Sequence, residues 1–295
     1  MSHISVLNEE VVTALNLKSD STVVDCTLGS GGHAQVILSK LGRKGTYIGI
    51  DVDRTAIELQ QDLKTNTAAV HLVCSNFVDI TTVLTELEIK CTDAILADLG
   101  WRTEQFIGGG KGFSFSENEP LLMTYGDPAT YTFTAHDIVN TWDEESIADV
   151  IYGYGEERFS RRIAKAIVSA REDAVITTSK QLALIVAAAI PARFQNRRIH
   201  PATKTFQALR ITVNNELETL KKFLTEAFEA LCPNGRLAII TFHSLEDRIV
   251  KNYFRDQARD QAGLLITKKP ITATDAELAQ NPRARSAKLR ILEKK

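Results

Sequence analysis

The sequence predicts an α/β fold: a Rossmann-like, mostly parallel open sheet with an antiparallel edge strand, interrupted by a small inserted helical domain. Three observations lead there. Short apolar runs alternate with amphipathic stretches at both ends of the chain, a glycine-rich turn follows the first run, and the alternation lapses over residues 104–199. Strand–helix alternation is the signature of a parallel sheet covered by helices on both faces.

Thr22–Cys26 is rich in β-branched residues and ends at glycines, which reads as a buried strand. Ala34–Leu41 follows as a helix, Thr46–Asp51 as the next strand and Arg54–Lys64 as the next helix. Val70–Cys74 and Ala94–Leu99 supply two more strands. The three glycines 108–110 and the GFSF segment after them read as a loop. Helices are then expected over Thr134–Asn140, Glu144–Tyr152, Glu156–Arg171 and Ser179–Ala189. In the third, Phe159, Ile163, Ala166, Ile167 and Ala170 recur at helical spacing, with arginines on the opposite face. A long helix, Thr203–Leu231, leads back to the sheet and is stopped by Pro233-Asn234-Gly235. Arg236–Phe242 is a strand and Ser244–Asp256 a helix. Leu264–Lys268 and Ala287–Glu293 form a closing hairpin with no helix of consequence between them. Residues 1–103 and 200–295 therefore make one discontinuous domain, and residues 104–199 the helical insertion.

With 44% hydrophobic and 24% charged residues, the chain has apolar material for a full core without metal or disulfide support. The N-terminus lacks the pattern of a signal peptide, and no segment has the length and apolarity of a membrane span. Cys26, Cys74, Cys91 and Cys232 lie far apart and match no zinc spacing, so no metal site is expected. Reduced thiols and a cytoplasmic location are the simplest reading. The net charge of −2 argues against coating nucleic acid non-specifically, but the basic residues are bunched. Arg158, Arg161, Arg162, Lys165 and Arg171 fall in one segment; Arg193, Arg197, Arg198, His200 and Lys204 fall in another.

VVDCTLGSGGH puts Gly29, Gly31 and Gly32 between a strand and a helix, where a backbone without Cβ turns tightly and admits a ligand. Asp51, ending the second strand, is placed to accept hydrogen bonds from ribose hydroxyls. Gly29, Gly31 and Ala34 satisfy the dinucleotide pattern G-x-G-x-x-G/A, which leaves an NAD enzyme open, and a glycine turn without a ligand is the plainer reading. Asp25 favours S-adenosylmethionine instead: a carboxylate ending the first strand repels pyrophosphate and suits an ammonium group. The closing hairpin and Asp98, ending the fourth strand, point the same way.

A methyl acceptor with an exocyclic amine must be held in line with the methyl group and must lose a proton. Asp98 could accept a hydrogen bond from such an amine or anchor the cofactor, against the simpler role of a helix cap. Trp101 could stack on a base or be a core aromatic. His243, in TFHSLEDR past the fifth strand, is a candidate for substrate contact, although a cap by Ser244 explains part of that cluster.

HPATKTFQALRI (200–211) with VNNEL (213–217), TFHSLEDRIVK (241–251), YGEERFSRRIAKAIV (154–168) and NPRARSAKLR (281–290) closely resemble the MraW/RsmH family, over nearly the whole chain. The resemblance implies an S-adenosylmethionine-dependent methyltransferase acting on N4 of a cytidine in the decoding region of small-subunit (16S-type) ribosomal RNA. It implies cofactor contacts at Gly31, Gly32, His33, Asp51, Phe77, Asp98 and Gln105, with Phe77 packing on adenine. The inserted helical domain belongs to the family's fold too, and RNA is expected between the domains, against Arg158, Arg161, Arg162, Arg197, Arg198, His200 and Lys204. The partner implied is this RNA or the assembling small subunit; a homodimer is left open.

The sequence departs from the family pattern in two places. DLGWRTEQFIG stands where DLGVSSxQLD is usual, and EPLLMTYGD where GPLDMRMD is usual, so Leu122 replaces an acidic residue and Thr124 an arginine. Losing both members of a charge pair leaves neither buried alone, and retained methylation is the expectation. The alternative is an RNA-binding or ribosome-assembly protein of the same fold, with altered or lost catalysis.

Overall fold

The computed structural model describes residues 5–65, 67–99, 110–195 and 200–295. Trp101, Gln105, Arg197 and Arg198 therefore lie outside the described residues. The chain forms two compact units, residues 1–100 with 217–295, and residues 101–216.

The first unit is built on a seven-stranded sheet in the order β3-β2-β1-β4-β5-β7-β6. Its strands are β1 (Thr22–Asp25), β2 (Thr46–Asp51), β3 (Ala69–Cys74), β4 (Thr92–Asp98), β5 (Leu231–Thr241), β6 (Gly263–Leu265) and β7 (Lys288–Lys294). β1 through β5 pair in parallel, β7 runs antiparallel to β5, and β6 at the edge pairs antiparallel to β7. The mostly parallel sheet and closing antiparallel strands are as the sequence leads one to expect. Val24, Ile48, Ile50, Ile95, Ala97 and Ile239 face one helical layer, and Val23, Tyr47, Ala94, Leu96, Ala238 and Ile240 the other. Burial on both faces explains why these strands read as continuous apolar runs.

The helices of this unit are α1 (Asn8–Leu15), α2 (Gly32–Leu38), α3 (Arg54–Leu59), α4 (Ile80–Glu86), α10 (Glu216–Ala230), α11 (Ser244–Arg259) and α12 (Asp275–Gln280). The second unit carries α5 (Ala135–Thr141), α6 (Glu144–Gly155), α7 (Ser160–Asp173), α8 (Ser179–Ala189) and α9 (Thr203–Asn214). These helices enclose their own core, including Ile138, Ile147, Ile151, Ile163, Ile167, Leu182, Val186 and Leu209. Among the described residues here, strand pairing is limited to an isolated bridge, Pro120 to Thr178.

Several expectations need correction. The single helix over Thr203–Leu231 is two helices, because Asn215 adopts a left-handed conformation (φ 49°) that asparagine tolerates and that ends α9. α9 accordingly belongs to the helical unit, and the division falls after residue 216 rather than before residue 200. Pro233-Asn234-Gly235 does not precede β5 but lies within it, at an irregularity of the β4–β5 register where Asn234 has φ 66°. The helix expected from Glu156 starts at Ser160, since Glu156 (φ 48°) ends α6. Between β6 and β7 stands the short helix α12, capped by Thr274 and tied to the N-terminal segment by Leu7 N–H donating to Glu277 Oε1 at 2.7 Å.

The thiols are not all reduced. Cys91 and Cys232 form a disulfide, whereas Cys26 and Cys74 are free. The partners are 141 residues apart in sequence, but the pairing of Thr92 with Leu231 sets them side by side. Sequence spacing carries no trace of that adjacency.

Candidate active site

Strand order reverses between β1 and β4: β1 leads outward to β2 and β3, β4 to β5. In open α/β sheets, ligands bind outside the carboxyl ends of the strands at such a switch point. Asp25, Asp51 and Asp98 end β1, β2 and β4 there.

The glycine turn is held to this edge by backbone geometry and by Asp51. Gly29 (φ 53°) and Gly31 (φ 77°) occupy the left-handed region, which costs glycine nothing. Asp51 Oδ2 accepts the Gly29 N–H at 2.9 Å and Oδ1 accepts the Asp53 N–H at 2.9 Å. At Gly31 and Gly32, an added Cβ would overlap the side chains of Gln60 and Ser5. At Gly31 the left-handed backbone is what requires glycine, since the end of the Gln60 side chain can move, while at Gly32 the close neighbour is Ser5 of the chain itself.

Asp25 departs from the expectation that it meets a ligand's ammonium group. It is fully buried; Oδ2 accepts from the Tyr47 hydroxyl at 3.0 Å and Oδ1 from the Thr27 N–H at 3.1 Å. Burial pushes its carboxyl above the ordinary carboxylate range, against the lowering influence of His33 and these hydrogen bonds. Thr27 continues the brace, because its Oγ1 accepts the Asp98 N–H at 2.8 Å. Tyr47 and Thr27 escaped the sequence reading, although strand alternation, which puts Tyr47 on the same face of the sheet as Val23 and Asp25, is a usable signal.

His33, in the first turn of α2, places Nε2 3.5 Å from Asp98 Oδ2. Burial alone would lower its pKa; Asp98, with Asp25 and Glu277, outweighs it, and the imidazole is shifted upward. Both ring nitrogens of His33 and Oδ1 of Asp98 are buried without a hydrogen-bond partner among the described residues. Buried polar atoms are otherwise almost always partnered, so this cluster suits a polar ligand. Phe77, half-buried after β3, meets Phe223 edge-to-face with centroids 4.8 Å apart.

His243 has a scaffolding role, while its buried Nε2, 3.0 Å from Glu246 Oε1, lacks a hydrogen-bond partner among the described residues, as the His33 ring does. It caps α11: its Nδ1 accepts the Glu246 N–H at 3.4 Å, and Glu246 Oε2 accepts the N–H groups of Phe242 and His243 at 2.9 and 3.4 Å. The cap expected from Ser244 is supplied by its neighbour. Asp247 in the same motif binds Arg290 through two hydrogen bonds (2.7 and 3.2 Å) and Lys288 at 3.3 Å. Burial would raise that carboxyl; the Arg290 fork and Lys288 bring it below the ordinary range. Two of the motifs that carried the family resemblance thus join α11 to β7.

In the helical unit the described part of the altered region, around Leu122–Gly126, is held by hydrogen bonds. Thr124 is buried and donates to Gly126 O at 3.2 Å, so no charge is stranded where the family pattern has arginine. Tyr125 N–H donates to Asn214 Oδ1 (3.0 Å), and its hydroxyl donates to Glu216 Oε1 (2.8 Å). Arg210, 3% exposed, clasps the same Glu216 through Nε and an Nη at 2.7 and 2.8 Å. Of the basic residues expected to meet RNA, Arg158, Arg161 and Arg162 are exposed. Lys204 is exposed too, although its ammonium donates to Glu156 O at 2.8 Å and lies 3.8 Å from Glu157. His200 stacks on Phe115 with centroids 4.3 Å apart.

A seven-stranded sheet of this order, its glycine turn pinned by an aspartate and its buried polar cluster at the switch point, defines a Rossmann-like methyltransferase. Sequence comparison takes the assignment further. A profile of the MraW methylase family matches residues 1–295, and the chain belongs to that family. It is 46% identical to the ribosomal RNA small subunit methyltransferase H of Fervidobacterium nodosum, covering 99% of this chain and 97% of that protein. The proteins of the same name from Koribacter versatilis and Clostridium botulinum (strain Loch Maree) are 45% and 43% identical. They align over 100% and 99% of this chain and 94% and 98% of their own lengths.

Proposed function

We propose that this protein transfers a methyl group from S-adenosylmethionine to N4 of a cytidine in the decoding region of small-subunit ribosomal RNA. The observation that carries the reading is the family match over the full chain, joined to the unpartnered polar cluster of His33 and Asp98. When bound, S-adenosylmethionine supplies an electrophilic methyl group. Asp51 would accept ribose hydroxyls, Phe77 would pack on adenine, and the turn through Gly29, Gly31 and Gly32 would shape the pocket, with Gln105 as a further contact. Asp98 would accept a hydrogen bond from the cytidine amine, orienting its lone pair and taking up charge as the amine loses a proton. Trp101 would stack on the base. A structured substrate must first release that base from its stack.

Arg158, Arg161, Arg162, Arg197 and Arg198 would meet the RNA phosphates, and a cytoplasmic location with the assembling small subunit as partner follows from the same reading. The changes at Leu122 and Thr124 supply no structural reason for lost catalysis, because the loop is packed and its polar groups are bonded.

The test is incubation with tritiated S-adenosylmethionine and small-subunit RNA, digestion to nucleosides and identification of the labelled one. N4-methylcytidine is expected, and Asp98→Ala should abolish its formation. Label found only on protein, or on another nucleoside, overturns the proposal.

A further inference from the structure

Several charged side chains of the helical unit are held by internal partners, such as Arg210 by Glu216 and Lys111 by backbone carbonyls; two arginines are instead gathered around Phe194. Phe194 ends a short 3-10 turn, Ala192–Phe194, and remains 43% exposed. The Arg158 guanidinium lies 4.3 Å from the centre of that ring and 4.7 Å from the centre of the Phe159 ring. The Arg193 guanidinium lies 4.7 Å from the same Phe194 ring. Phe159 and Phe194 are in contact, their centroids 5.3 Å apart. Two cations therefore share one exposed ring, and neither has a carboxylate partner among the described residues. Nearby in sequence, Arg161, Arg162 and Lys165 are exposed on α7, and residues 158–171 contain five basic side chains and no acidic one.

From this arrangement we infer that Arg158 and Arg193, held by Phe194, form a phosphate-gripping platform for the RNA backbone; the inference rests on the proposed RNA substrate. A guanidinium lying over an aromatic ring has its plane fixed while its N–H edge stays open for a bidentate anion contact. Its rotamer freedom is largely spent before binding, so less is lost when the phosphate arrives. Two like charges brought together on one ring without an acid repel, and an anion lying against both relieves that repulsion. RNA meets these requirements better than an acidic protein surface does, because its phosphates are regularly spaced along the backbone. The assignment differs from a count of basic residues: it adds Arg193 and Phe194, which hold a guanidinium pair on one ring.

The experiment compares wild type, Arg158→Gln/Arg193→Gln, Phe194→Leu and a control, Arg255→Gln, an exposed arginine of α11 beside Asp256. Binding to protein-free small-subunit RNA is measured across a salt series, alongside KM for RNA and Kd for S-adenosylmethionine. The double variant should lower the salt slope by about 1.4, the value for two phosphate contacts on single-stranded RNA. It should also raise KM for RNA roughly tenfold or more, one to two charge-assisted contacts being lost, with cofactor affinity unchanged. Phe194→Leu keeps both charges and an apolar side chain, and should raise KM by roughly three- to tenfold with the slope nearly intact. Equal RNA affinity and salt slope in wild type and the double variant overturn the platform. So does weakened binding to protein-containing subunits alone, which would make it a protein contact. In both cases wild-type RNA methylation still stands; if wild type neither binds nor methylates RNA, it is the proposed function that fails.

Discussion

Replacing Asp51 with asparagine tests the coupling between the second strand and the glycine turn. Asp51 offers one carboxylate oxygen to the Gly29 N–H and the other to the Asp53 N–H, each at 2.9 Å. Asparagine keeps one acceptor and turns an NH2 toward the remaining N–H. One charge-assisted bond is lost, worth about 1.5–3 kcal/mol. If the amide oxygen stays with Asp53, Gly29 is left facing a donor and the turn loses its tether. A cofactor that needs both the turn's shape and the ribose acceptor should then bind about 30-fold more weakly, each tenfold being 1.4 kcal/mol. Global stability should fall by about 2 kcal/mol. Titration calorimetry with S-adenosylmethionine and urea unfolding of the full chain read the two effects separately. Asp53→Ala is the control: Asp53 caps α3 by accepting the Thr55 N–H, so its loss should cost about 1 kcal/mol of stability with little change in cofactor affinity. A cofactor Kd for Asp51→Asn within threefold of wild type refutes the reasoning, as does an equal loss of affinity in Asp53→Ala.

Asp25→Asn should stabilise the protein at neutral pH and leave cofactor affinity within threefold. The Asp25 pKa is raised by burial, so its contribution to stability is fully present below the unfolded value of about 3.9 and lost as pH rises through the folded value. Unfolding free energy measured against pH should therefore show wild type losing ground to the variant on going from acid to neutral; a tenfold loss of cofactor affinity would instead restore the ammonium contact. Reduction, or Cys232→Ser, should lower stability by as much as about 5 kcal/mol, the chain-entropy value for so long a loop. Denaturant midpoints report this, and titration of four free thiols in the unreduced protein would contradict the bond. Arg210→Met leaves Glu216 and its tie to Tyr125 without the guanidinium and should cost about 3–5 kcal/mol, whereas Arg210→Met/Glu216→Leu should recover most of it. Additive losses in unfolding experiments would show that the pair acts as two independent residues.

The strands were legible because both faces of the parallel sheet are buried, which makes a run such as Ala94–Leu99 unmistakably apolar. The glycine turn and Asp51 were legible because left-handed backbone and strand-end chemistry restrict residue type at those points. The break at Asn215 was hidden by helical periodicity continuing on either side of it. The capping role of His243 was hidden because sequence spacing does not show which residue at a helix start supplies the cap. Lys204 and Arg158 carry the same charge and differ only in what the fold places beside them: backbone and Glu157 for one, an exposed aromatic ring for the other.

Local patterning by itself determined the order of strands and helices, the position of the glycine turn, and membership of a methylase family, because these depend on residues near one another in the chain. Tertiary structure alone decided that Asp25 braces the sheet through Tyr47 and Thr27, that Cys91 bonds Cys232, and that His33 lies 3.5 Å from Asp98 with polar atoms left without a hydrogen bond among the described residues. Each of these depends on strand register and burial, which set distance and solvation between residues that sequence leaves far apart.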